Sequence, residues 1–63
     1  MSKEPVELSV TIIKETDSAI FVNDGDIKAW IPKSQLLEEL LELGEGVFEI
    51  VIPEWLAIDK ELI

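Results

Sequence analysis

The sequence contains neither cysteine nor histidine, so no disulfide framework and no thiolate or imidazole metal site is open to it. Such staples matter at this size, because a chain of 63 residues buries only about 60% of the surface its unfolded form exposes. The chain must fold on apolar packing alone, as a single domain 1–63, with self-association as the remaining supplement. It has the material for that: 22 residues are Leu, Ile or Val, too many for a disordered acidic tail. The same two absences remove Ser-His and Cys-His nucleophile pairs, so the expectation is a non-enzymatic protein without a cofactor or metal.

Val6-Glu7-Leu8-Ser9-Val10-Thr11-Ile12 alternates apolar and polar residues with period two, which predicts a half-buried strand with Val6, Leu8, Val10 and Ile12 on one face. Residues 1–5 read as a polar, flexible leader. Glu15-Thr16-Asp17-Ser18 is turn-forming, and Ala19-Ile20-Phe21-Val22 reads as a second, more central strand. Asn23-Asp24-Gly25-Asp26 follows as a hairpin turn. A third strand is predicted from Ile27 to Ile31, with Ile27, Ala29 and Ile31 on one face and Lys28 and Trp30 on the other, ended by Pro32.

The period then changes. At 100° per residue, Leu36, Leu37, Leu40, Leu41 and Leu43 fall within an arc of roughly 160°, with Glu38, Glu39, Glu42 and Glu45 opposite. This spacing predicts a short helix, with Ser34 as N-cap and Gly44 at its end, and its Leu face must dock on something. Val47 to Ile52 reads as a fourth strand with Phe48, Ile50 and Ile52 on one side. Pro53 stops it and suits the first position of a terminal helix reaching about Glu61, with Trp55, Ile58 and Leu62 along one stripe.

The fold class is therefore mainly β (α+β). Its expected form is a small four-stranded antiparallel meander or a partly open OB- or SH3-like barrel, with a short helix after strand 3 and a short C-terminal helix. In the barrel form the fourth strand pairs with the first; the rival is an open sheet covered by the two helices.

From Val10 to Leu36 the rhythm, with Ala29-Trp30-Ile31-Pro32 and Ser34-Gln35-Leu36, is similar to the first half of ribosomal-S1-like OB barrels. The blocks Trp30-Ile31-Pro32-Lys33-Ser34-Gln35 and Ile52-Pro53-Glu54-Trp55-Leu56-Ala57 resemble those of small phage and prophage proteins. That second resemblance covers most of the chain and implies an accessory protein, of the kind encoded beside phage replication and recombination functions. The Leu36–Leu43 stretch departs from the shorter, more strand-like link of that group.

The charge is uneven. Of the formal −9, residues 1–33 carry −2 and residues 34–63 carry −7, and there is no Arg. Phosphate contact relies on Lys and Arg, so nucleic acid is a disfavoured partner; only a local patch of Lys14, Lys28 and Lys33 around Trp30 would support an OB-like single-strand binder. A regular acidic face can instead steer a basic partner or imitate a phosphate backbone, as in a DNA-mimic inhibitor, or simply keep a greasy domain in solution. The Asn23–Asp26 turn lacks EF-hand spacing, the helix-face carboxylates lack the burial that shifts a pKa, and Ser34 has no base beside it. Trp30 is either an exposed binding anchor or lies under a helix, and a small domain rarely leaves an aromatic out, which favours the covered position.

The functional expectation is an accessory protein, cytoplasmic and without a membrane segment, that binds a protein partner. The candidate site is Trp30, Lys33, Ser34 and Gln35 at one edge with Glu38, Glu39 and Glu42 as an acidic flank, and a homodimer is compatible with the aliphatic content.

Overall fold

A computed structural model describes residues 3–63. Its centre is a long strand, β1 (Pro5–Glu15), which serves two partners in turn. The first part of β1 pairs antiparallel with β5 (Val47–Pro53), from Pro5 opposite Pro53 to Thr11 opposite Val47. The second part pairs antiparallel with β2 (Ala19–Asn23), and the register slips at Ile13. Such a slip bends a strand and strengthens its twist, so β1 carries the chain from one half of the sheet to the other. β2 continues into β3 (Lys28–Pro32), and β4 (Leu41–Gly44) lies outside β5, giving the order β3-β2-β1-β5-β4, antiparallel throughout. The sheet ends in two edges, β3 and β4, as in a partly open barrel.

The period-two pattern decides what is inside. Register sets Val6 beside Ile52, Leu8 beside Ile50, Ile12 beside Val22, Val22 beside Ala29 and Ile20 beside Ile31. Cross-strand neighbours share a face, and on this face Val10, Ile20, Val22, Ile31, Ile50 and Ile52 are buried. Val6, Leu8 and Ile12 pack against the same cluster, half-buried.

The C-terminal helix, α1 (Glu54–Asp59), forms where expected. Pro53 precedes it at φ −63°, ready for a helix start, and the Glu54 amide donates to the Glu4 carbonyl at 2.8 Å. Leu56 and Ala57 are buried on the core, and Trp55 packs against it half-buried. The helix closes with the Leu62 amide donating to Ala57 O (2.8 Å) and the Glu61 amide to Ile58 O (3.0 Å), a Schellman closure with Glu61 in the left-handed position at φ 61°. This reversal returns Leu62 to the core, where it is buried.

The expected helix over Ser34 to Leu43 is not formed. Lys33–Gln35 make one turn of 3-10 helix, in which Ser34 caps nothing. The chain then runs without regular structure to Leu40, and Leu41–Gly44 adds a fifth strand where four were expected. The reason lies in β5. Its Ile50-Val51-Ile52 segment is buried, and buried backbone N–H and C=O groups need partners on both sides of the strand. β1 supplies one side; on the other, β4 pairs with Phe48 and Glu49, and the Leu37 amide donates to Val51 O at 2.8 Å. A helix of two and a half turns, marginal by itself, would leave that edge of β5 bare. Gly44-Glu45-Gly46 then serves as a hairpin turn rather than a helix end, with φ values of 135°, 49° and 83°. Positive φ at its Glu45-Gly46 centre suits a tight two-residue hairpin turn.

Of the expected leader 1–5, Met1 and Ser2 lie outside the described residues, and Pro5 already opens β1. No helix among the described residues is long and apolar enough to cross a membrane.

Candidate functional site

With Ala29 and Ile31 turned into the core, the pleat sends Trp30 to the outer face of β3. Register places Phe21 of β2 directly opposite Trp30, and Lys14 of β1 opposite Phe21. The two rings lie with centroids 4.9 Å apart and planes tilted by 31°, within the range of a favourable offset aromatic pair. One step along the same face stand Thr11, Asn23 and Lys28. Trp30 keeps 42% of its surface exposed, and the α-helix expected after Pro32 does not form, so its covered position under a helix is overturned.

Phe21 is absent from the candidate residues because Ala19–Val22 reads as a more fully buried or central strand. The signal was present in the hairpin. A turn joining Asn23 to Lys28 fixes the pairing, and counting back from it sets Phe21 against Trp30.

That turn is built by its own side chains. Asn23 Oδ1 accepts from the Gly25 amide at 2.8 Å, while Asp24 Oδ1 accepts from the amides of Asp26 (2.9 Å) and Ile27 (2.8 Å). The bonds from Ile27 and then Asp26 hold the Asp24 carboxyl below its ordinary pKa. Gly25 takes a φ of 115°, which a side chain would resist.

Beyond β3, Lys33, Ser34 and Gln35 form the 3-10 turn, which packs against β2. Lys33 Nζ donates to Glu15 Oε2 at 2.6 Å, and its amide donates to Ser18 O at 2.8 Å. Its charge is thus shared with Glu15, leaving Lys14 and Lys28 as the cations flanking the ring pair. Ser34 is exposed and Gln35 half-buried.

The acidic flank is elsewhere. Glu38 and Glu39 sit in the link to β4, Glu42 on β4 and Glu45 in the turn after it, all exposed. The regular helical spacing that a phosphate-like face would need is absent. β3 and β4 stand at opposite ends of the pairing order, so the single surface expected from the sequence becomes two: an aromatic outer face with Trp30, and an acidic edge with Glu42. The Leu residues divide as well. Leu36 and Leu40 pack on the core, whereas Leu37, Leu41 and Leu43 remain 48%, 56% and 51% exposed.

Among the described residues no three Asp or Glu carboxylates gather closely enough to hold a metal ion. No family model, curated protein or solved structure matches the chain.

Proposed function

We propose that this is a non-enzymatic accessory protein, of phage or prophage origin, that captures a protein partner with the outer-face pair Phe21 and Trp30. The observation that carries this reading is the position of Trp30. A chain with two Trp and two Phe places one Trp on an open sheet face, stacked on Phe21 instead of in the core. Rigid aromatic groups held in this way are the commonest anchors of protein interfaces. The excess of acids steers basic partners toward the molecule and keeps nucleic acid away.

The test is affinity capture from a lysate of phage-infected bacteria, with wild-type, Trp30→Ser and Phe21→Ser baits in parallel. A protein held by the wild type and lost from both variants supports the reading. Equal retention on all three baits sinks it.

A second reading, single-stranded nucleic-acid binding, is favoured by one observation: Lys14 and Lys28 flank the ring pair on the same face, as cations flank a base-stacking platform. Quenching of Trp30 fluorescence by a short oligothymidylate at low salt, lost in Trp30→Ser, would select it over the first. No retention of the oligonucleotide at micromolar protein removes it.

A further inference from the structure

The two edges of the sheet are finished differently. Edge strands invite pairing with another chain, and proteins commonly block them with Lys or Pro. β3 has both, with Lys28 at its start and Pro32 at its end, and Lys33 follows. β4 has neither: its residues are Leu41, Glu42, Leu43 and Gly44, all exposed. Among the described residues, no backbone hydrogen bond joins β4 to anything but β5. Beside this open backbone stand Leu41, Leu43 and Leu37, three of the large apolar side chains the molecule leaves exposed.

We propose that the β4 edge is a docking site for an extended basic segment of a partner protein, which adds to the sheet as a sixth strand. Charge names the occupant. Glu38, Glu39, Glu42 and Glu45 border the edge, Glu49 stands opposite Leu41 in the register, and no Lys or Arg occurs between Ser34 and Asp59. A second copy would set one such acidic row against another, and like charges directly opposite destabilise a strand pair. A strand alternating Lys or Arg with aliphatic residues satisfies all three features at once. Its backbone pairs with β4, its aliphatic side chains cover Leu41 and Leu43, and its cations meet the glutamates. The acids thus exclude self-pairing and select the guest, so repulsion and attraction serve one specificity. This inference does not depend on Phe21 or Trp30.

The probe is a capped peptide of about ten residues alternating Lys and Val, long enough for one strand, titrated at low salt into the isotope-labelled full chain and followed by NMR and amide exchange. The expected result is a shift and slowed exchange of the Leu41–Gly44 amides, with affinity falling about tenfold or more as salt is raised. The double variant Leu41→Lys/Leu43→Lys and the triple variant Glu38→Gln/Glu39→Gln/Glu42→Gln should each weaken binding about tenfold. Phe21→Ser should leave it unchanged. Since the five substituted side chains are exposed, folding of both variants is checked by their core amide shifts. Three outcomes overturn the proposal: a Glu-Val peptide binding as well as the Lys-Val one, peptide shifts centred on Trp30, or Leu41–Gly44 amides already protected by dimerisation of the free chain.

Discussion

β3 and β4 end the same sheet, yet they are built on opposite terms. β3 drives Ala29 and Ile31 into the core, shows Trp30, Lys28 and Pro32 outside, and is tied to β2 along all five of its residues. β4 has four residues, all exposed, and pairs with β5 through a register that slips at Leu43. Both carry large apolar side chains, Trp30 and Ile31 on β3 and Leu41 and Leu43 on β4, so hydrophobicity does not separate them. What does is whether the strand has an inward face of its own. β3 belongs to the core, whereas β4 belongs to β5, whose backbone it completes. A strand retained for its backbone can present side chains that the fold does not need, and these are free to meet a partner.

The strongest test of this contrast is a pair of truncations. Ile31→Ala removes a fully buried side chain and should cost about 2–5 kcal/mol, enough to leave so small a domain largely unfolded. Leu43→Ala should change stability by no more than about 0.5 kcal/mol. Urea melts compare the two directly, and a Leu43 loss as large as that of Ile31 would mean that β4 is covered in solution. Trp30→Ala comes next. It removes the ring pair and should destabilise by about 1 kcal/mol, while Trp55 remains as a fluorescence reporter of the melt.

Two turns carry glutamate at positive φ, Glu45 beside β4 and Glu61 after α1. Glu45→Asn, which makes an Asn-Gly hairpin, and Glu61→Gly, which supplies the residue a Schellman closure prefers, should each raise stability by about 0.5–1 kcal/mol in thermal melts. A gain at Glu61 with none at Glu45 would show that the β4 hairpin frays independently of the core.

The smallest effect sits in the β2–β3 turn. The Asp24 pKa is lowered in the folded chain from its ordinary value of 3.8, so its contribution to stability is complete above that value and is lost as pH falls through the lower folded pKa. Asp24→Asn keeps an oxygen for the Asp26 and Ile27 amides but cannot titrate, so its melting temperature should fall less steeply on acidification than that of the wild type. Parallel acid limbs would mean that the turn is broken in solution.

Much of the first half was legible because each residue there obeyed one period. Val6 to Ile12 alternates, the Asn23–Asp26 turn has its Gly where φ is positive, and Ala29 and Ile31 alternate with Lys28 and Trp30. Two expectations there gave way: Pro5 is in β1 instead of the leader, and Trp30 is exposed. Its parity pointed outward, and the expectation of cover rested on a helix that does not form. The stretch from Leu36 to Leu43 was illegible for a physical reason. Leu36 and Leu40 satisfy a helical spacing, Leu41 and Leu43 a strand spacing, and no local rule chooses between them. With that helix gone, the candidate site also lost its unity, since Glu38, Glu39 and Glu42 moved to the edge opposite Trp30.

By itself the sequence determined a mainly β domain with a C-terminal helix, an inner face of aliphatic residues and a charge concentrated after Lys33, because alternation, turn chemistry and ionisation are properties of residues and their near neighbours. The tertiary structure decided that Leu41–Gly44 is a strand, that Phe21 meets Trp30, and that the acids border a bare sheet edge. Each of these depends on which strands pair and in what register. The backbone of β5 needed a second neighbour, and the cheapest way to supply it left three leucines in water.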